Sequence, residues 1–361
     1  MSFYTRAVRP ALFSLDAERA HDLTIAALRQ PLVRAALRAG GRPTPDPRLR
    51  VEVLGRSFDH PIGLAAGLDK QGTAVPAWEA LGFSFAEIGT VTPRPQTGNP
   101  RPRLFRLPRD LAIVNRFGFN SAGAEQVAGN LRASARGRLI VGINIGKNKD
   151  TPNERAAEDC ARVVDALHAF ADYFVLNVSS PNTERLRELQ ESRALRTLVG
   201  ELTARIQVLG GGHPVPLLVK VSPDSDPADL LRSVDAAIEG GASGVVATNT
   251  TVGRNGLTST APPADEAGGL SGAPLKQAAT TTCRLLFGHL RGRVPIVGVG
   301  GVFTADDAYE RIRAGAALVQ LYTALIYNGP GAVRGIGRGL SERLARDGFS
   351  NVRDAVGVDA C

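Results

Sequence analysis

Cysteine is scarce in this sequence. Cys160, Cys283 and Cys361 are the whole complement, and no two have the spacing of a metal site or a redox pair. That argues against a disulfide framework and points to a reducing compartment. Long apolar runs are also missing: no stretch reaches the ~20 residues of a membrane span. The N-terminus has no uninterrupted apolar core of the secretory kind. Aromatic residues make up only 5% of the chain, so base-stacking platforms are scarce. The net charge of +8 comes from scattered arginines rather than one basic run. This balance suits anionic small molecules or anionic lipid surfaces, and the expectation is no nucleic acid partner. The predicted location is the cytosol, or a membrane face that the chain does not cross.

What is present begins with a distinct N-terminal segment. Apolar residues such as Leu12, Phe13, Leu23, Ile25, Leu28, Leu32, Val33 and Leu37 recur at roughly helical spacing. Asp16 is placed to cap the second helix, and Pro31 to divide it. Arginines outnumber acids here, and the Gly- and Pro-rich stretch 40–47 reads as a boundary. Two domains follow: a helical unit over 1–40 and a larger one over 41–361. On the residues alone, a helix pair packed on the larger domain and a pair lying in a membrane interface both remain open.

From residue 60 onward, short apolar runs alternate with helix-length amphipathic segments. The runs are 62–66, 85–91, 139–145, 173–178, 216–221, 244–248, 295–299 and 317–322. Eight such units predict an α/β fold, a (β/α)₈ TIM barrel with a small N-terminal helical domain. Segments 92–114 and 250–272 are too long for plain connections and read as insertions or small hairpins over one end.

In such barrels the chemistry gathers at the C-terminal ends of the strands. None of the five histidines falls there, and no paired carboxylates do either, which argues against triads, carboxylate-pair hydrolysis and a catalytic metal. What does fall there is Lys70, Lys220, several hydroxyls and the asparagines Asn115, Asn144, Asn177, Asn182 and Asn249. An amide offers both a donor and an acceptor, which suits a flat heterocycle of alternating N–H and C=O groups. Loop turns are the competing use of a single asparagine, but not of four or more at successive strand ends. Gly300-Gly301 after the seventh strand and Gly315-Ala316 before the eighth frame a phosphate cradle.

Several runs resemble dihydroorotate dehydrogenases. They include Ala65-Ala66-Gly67-Leu68-Asp69-Lys70, residues 87–93, residues 98–106, Asn115-Arg116-Phe117-Gly118-Phe119-Asn120, Asn177 to Thr183, Gly269-Leu270-Ser271-Gly272 and Val299-Gly300-Gly301. The resemblance covers nearly the whole chain. It implies FMN as cofactor and oxidation of dihydroorotate to orotate in pyrimidine biosynthesis. Ser180 stands where the cytosolic branch carries Cys and so matches the quinone-dependent branch, as do residues 12–21. The family pattern therefore implies a membrane quinone as acceptor and peripheral contact through residues 1–40 on the cytoplasmic side of the cell membrane.

The roles implied by the resemblance are these. Ser180 is the base. Ala66, Gly67, Leu68, Asp69, Lys70, Thr90, Asn144, Asn177, Lys220, Thr248, Gly272, Gly301, Tyr322 and Thr323 hold FMN. Lys70, Asn115, Arg116, Phe117, Gly118, Phe119, Asn177, Asn182, Asn249 and Thr250 hold the substrate. His21, Arg106 and Tyr322 surround the quinone path. Two positions depart from the pattern: Arg185, where Gly is common in the lid, and Cys160, where an aromatic is usual. Cys160 reads as helix packing. The rival readings are another FMN barrel oxidoreductase and a flavin- or phosphate-binding module without turnover. Lack of a histidine base disfavours a hydroxy-acid oxidase. Ser180 together with both lysines disfavours the inert module.

Overall fold

The computed structural model describes residues 2–40, 45–183, 186–213, 215–260 and 262–360. Eight parallel strands close into a barrel in simple cyclic order. In chain order they are β1 (Ile62–Leu64), β2 (Phe85–Val91), β3 (Ile140–Ile145), β4 (Tyr173–Asn177), β5 (Leu217–Val221), β6 (Gly244–Ala247), β7 (Ile296–Val299) and β8 (Ala316–Leu321). Each expected run contains one of them or overlaps it to within a residue at its start. The strands are rich in Val, Ile and Leu and buried along almost their whole length. That is the pattern demanded when helices cover a parallel sheet outside and side chains fill it inside.

The covering helices carry clear start signals. Asp226 accepts from the amide of Ala228 at 2.9 Å and caps Pro227–Glu239. Thr304 and Asp307 form a reciprocal capping box on Ala305–Arg313. Buried helix faces and strands merge into one continuous core.

The first long segment forms a small hairpin, as expected, and the second adds a strand to it. Segment 92–114 supplies Leu104–Leu107 and the start of Ala112–Asn115, which pair antiparallel. Segment 250–272 supplies only Gly269–Gly272, which joins the same sheet beside Ala112–Asn115. This three-stranded sheet carries Asn115, Ser271 and Gly272 to the cavity at the C-terminal ends of the barrel strands.

The N-terminal helices Ala17–Leu28 and Pro31–Ala39 are divided at Pro31, and Asp16 caps the first through the amides of Glu18 and Arg19. The segment that precedes them is tied to the rest of the protein by specific bonds. Tyr4 Oη donates to the Ile326 carbonyl at 2.6 Å, and Arg9 to that of Tyr327 at 3.1 Å. Arg106 donates to the carbonyls of Leu12 and Leu15 and stacks on the Phe13 ring. Residues 41–44 of the expected boundary lie outside the described residues.

Candidate active site

The C-terminal ends of the strands surround a cavity of about 1000 Å³ of empty space, counting its open mouth. The turn after β1 brings Ala66, Gly67 and Lys70 to its wall, and β2 brings Thr90. Asn177, Lys220, Thr248, Asn249 and Thr250 come from the ends of β4, β5 and β6. The cover adds Asn115, Phe117, Gly118, Phe119 and Gly272, and the segment after β4 adds Ser180 and Asn182. Gly301, Tyr322 and Thr323 close the side formed by β7 and β8. Most residues singled out from the sequence therefore converge on one space.

Four of the cofactor and substrate candidates do not line it. Asn144 lies beneath the floor, fully buried. Leu68 and Asp69 face a second cavity. Asp69 spends its carboxylate on the amides of Thr73 and Ala74 and on the Trp78 indole, each at 2.9 Å, so its side chain holds the turn that presents Lys70. Arg116 pairs with Glu266 and donates to the Pro102 carbonyl. Arg185 lies outside the described residues.

Two lysines dominate the electrostatics. Lys70 is 9% exposed and Lys220 6% exposed, and among the described residues neither has a carboxylate within ion-pair distance. Lys70 rests its ammonium 3.8 Å from the Phe117 ring centroid. Burial pushes Lys70 down to about 8; Glu18 opposes the shift and Arg103 adds to it. Burial also lowers Lys220, with Glu87 opposing. Two buried ammonium groups without paired acids call for negative charge in the cavity.

Ser180 is buried, and its Oγ accepts from the Asn182 amide at 3.3 Å. The hydroxyl therefore sits at the cavity wall with its proton free to be directed at a bound molecule.

Gly301 has φ of 71°, and a Cβ there would lie 2.4 Å from the Lys276 Cα. Backbone alone fits. Among the described residues the amides of Gly301 and Val302 have no acceptor within the protein, and both line the cavity. That is a cradle for an anion. Gly315 is not part of it. It precedes β8, at the opposite end of the barrel, and a Cβ there would strike Phe287 at 2.3 Å.

The second cavity lies between helix Ala17–Leu28 and the turn after β1, lined by Glu18, His21, Asp22, Ile25, Lys70 and Phe117 among others. Lys70 and Phe117 border both cavities. Burial, followed by the charge of Lys70, holds His21 well below the ordinary histidine range, so its imidazole is neutral. Thus His21 faces the second space, Tyr322 the first, and Arg106 anchors the turn at Leu12–Leu15.

Sequence reading passed over several groups. Glu18 is buried and paired with Arg103 at 2.7 Å and Arg101 at 3.0 Å. Glu87 and Gln320 are buried inside the barrel and bonded to each other at 2.7 Å. A glutamate and a glutamine inside otherwise apolar strand runs were the available signal. The two described cysteines, Cys160 and Cys283, are buried and unpaired, and burial pushes both thiols up to about 12, which leaves them inert. Among the described residues no cluster of His, Cys, Asp and Glu could hold a metal.

Known proteins resemble this chain along its length. The family model described as dihydroorotate dehydrogenase matches residues 48–344. A protein of Anaeromyxobacter dehalogenans named dihydroorotate dehydrogenase (quinone) is 54% identical over 355 residues, covering 98% of this chain and 96% of its own. One of the same name from Deinococcus deserti is 51% identical over 364 residues, covering 99% of this chain and all of its own. The crystal structure of ligand-free DHODH from Eimeria tenella superposes with a TM-score of 0.85 at 39% identity, covering 95% of this chain and 99% of that one.

Proposed function

The chain belongs to the dihydroorotate dehydrogenase family, and from that premise we propose that it oxidises (S)-dihydroorotate to orotate with FMN bound and a quinone as electron acceptor. The observation that carries this reading is the pair of buried lysines, Lys70 and Lys220, facing one amide-lined cavity with no carboxylate among the described residues to pair them. A carboxylated pyrimidine and a phosphorylated flavin would supply the missing negative charge and the planar N–H and C=O edges.

The residues present fit that cofactor. Gly301 leaves room for a phosphate against its backbone. Lys220, Thr90, Asn177 and Thr248 surround the part of the cavity suited to the ring. When bound, FMN supplies a two-electron acceptor for the hydrogen leaving substrate C6 and later passes the electrons to quinone.

The protein's own share is orientation and proton movement. Lys70 meets the substrate carboxylate. Asn115, Asn182 and Asn249 hold the pyrimidine edge beside Thr250. Ser180 Oγ takes the C5 proton and relays it through a neighbouring hydroxyl or water, since serine alone is a weak base. Donors on the ring carbonyl draw electron density from C5 and acidify it. Lys220 offers positive charge where the electrons arrive.

The second cavity, bounded by the helix carrying His21 and reaching Lys70, is the route assigned to quinone. Among the described residues no helix is long and apolar enough to cross a membrane. Contact is instead through the N-terminal helices, on the cytoplasmic face. Phe3 and Leu32 are 78% and 85% exposed, beside exposed Arg6, Arg19 and Arg29.

Purification tests the reading. The protein is expected to be yellow, to release FMN on denaturation, and to couple dihydroorotate oxidation to quinone reduction. A colourless protein, or one that reduces nicotinamide instead of quinone, contradicts it.

A further inference from the structure

At the cavity floor and just beneath it, three amides join into one hydrogen-bonded chain. Asn144 Nδ2 donates to Glu87 Oε1 at 2.7 Å. Asn144 Oδ1 accepts from Thr90 Oγ1 and from Asn177 Nδ2, the latter at 3.2 Å. Asn177 Oδ1 in turn accepts from Asn249 Nδ2 at 3.1 Å. Asn249 Oδ1 accepts from the Thr250 backbone N–H at 2.8 Å.

The two faces of an amide differ only in which end donates. In isolation this chain could run in either direction. Its two ends forbid that. Glu87 is fully buried and both its oxygens accept amide N–H bonds, the second from Gln320 Nε2 at 2.7 Å. The Thr250 N–H at the other end can only donate. The carboxylate below and the backbone N–H above impose the same direction on every amide between them.

We infer that Glu87 is a positioning residue which sets the hydrogen-bond direction of Asn144, Asn177 and Asn249, so that the cavity floor meets a bound heterocycle with its amides in one orientation. The Asn177 amide nitrogen donates toward Thr90 Oγ1 and Asn144 Oδ1, at 3.1 and 3.2 Å. Those of Asn249 are spent on Asn177 Oδ1 and Ser179 Oγ. Asn177 Oδ1 also accepts from Ser179 Oγ and Asn249 Oδ1 from Thr250 Oγ1, each at 3.4 Å, so both amides are fixed at their two ends. Across the cavity two further amides keep a hydrogen to give. Asn115 Nδ2 donates to the Gly269 carbonyl at 3.3 Å, and Asn182 Nδ2 to Asn115 Oδ1 at 3.3 Å, which leaves one amide hydrogen on each for a ring carbonyl. Glu87 touches neither substrate nor cofactor space; it acts through Asn144.

This inference rests on the heterocycle-binding reading above. Its test uses the FMN-loaded protein and orotate binding, followed by flavin absorbance. Glu87→Gln has nearly the same shape but brings an amide of its own. It can give its N–H₂ to Asn144, which must then reverse, so two directions become available where the carboxylate allows one. Orotate affinity is expected to fall about tenfold, and KM for dihydroorotate to rise, with FMN content and thermal unfolding near wild type. The double variant Glu87→Gln/Gln320→Glu restores an acceptor-only group. Glu at 320 takes the N–H₂ of Gln at 87, whose carbonyl then faces Asn144 as before, and affinity is expected to return. Wild-type affinity in Glu87→Gln overturns the inference, as does equal weakening in the single and double variants. A wild-type protein that carries FMN but binds no orotate would instead sink the substrate reading itself.

Discussion

Lys70 holds its ammonium 3.8 Å from the centroid of the Phe117 ring, and this pair is the wall shared by the two cavities. A cation over an aromatic face is stabilised without being neutralised, so the charge stays available to an incoming carboxylate.

The first prediction follows from that charge. Burial lowers Lys70 to about 8, and only the ammonium form attracts a carboxylate. Orotate binding is therefore full below about pH 8 and weakens as pH rises through that value, by about tenfold per pH unit until the bound-state value is reached. Titrations across pH 6–10 on the order of one-unit steps would read it. Lys70→Met should be weak throughout and lose the pH dependence. A flat wild-type profile removes Lys70 from carboxylate binding.

A second expectation concerns the base. Ser180→Ala should keep FMN and orotate binding while flavin reduction by dihydroorotate slows on the order of 10²–10⁴-fold. Ser180→Cys should recover part of the rate with a shifted pH profile, because a thiol ionises more readily. Rapid-mixing measurement of the reductive half-reaction separates these outcomes. An unslowed alanine variant would assign the proton to another group.

The third prediction concerns the cradle. The Gly301 Cβ position lies 2.4 Å from the Lys276 Cα, so a side chain there must displace backbone. Gly301→Val should lower FMN occupancy in the purified protein and leave substrate preference unchanged in whatever fraction is loaded. Full occupancy would place the phosphate elsewhere.

How much of this was legible in the sequence depends on range. The barrel strands were readable because a strand buried on both faces must be a short apolar run, as at Phe85–Val91 and Leu217–Val221. The strand-end asparagines and lysines then followed from the barrel's own geometry. Pairing across long separations was not readable. Nothing in segment 250–272 says that Gly269 pairs with Asn115 rather than within its own segment. Gly315 looked like part of a glycine turn, but its place before β8 puts it at the wrong end. Glu18 and Arg103 lie 85 positions apart, and no periodicity links them.

That buried pair gives the fourth prediction. Burial pushes the Glu18 carboxyl up, and Arg103 and then Arg101 more than reverse the effect. A carboxylate held below its ordinary value contributes stability at neutral pH and loses it as pH falls through the carboxylate range. Glu18→Ala leaves Arg103 with only the carbonyls of Thr97 and Asn99. The cost should be about 3 kcal/mol in denaturant unfolding, the lower end for a broken buried pair. Glu18 lines the second cavity and not the first, so quinone reduction should suffer more than flavin reduction. Unchanged stability and equal effects on both half-reactions would make Glu18 a surface charge in function.

In the proposed reaction dihydroorotate held in the first cavity passes its electrons through a bound flavin to a quinone in the second. Anaerobic titration of the purified protein with dihydroorotate, followed by flavin absorbance, tests it most directly. The expected result is stoichiometric bleaching of the yellow absorbance and its full return on adding quinone without oxygen. Flavin that stays oxidised with excess dihydroorotate, or that bleaches but is not restored by quinone, would contradict it.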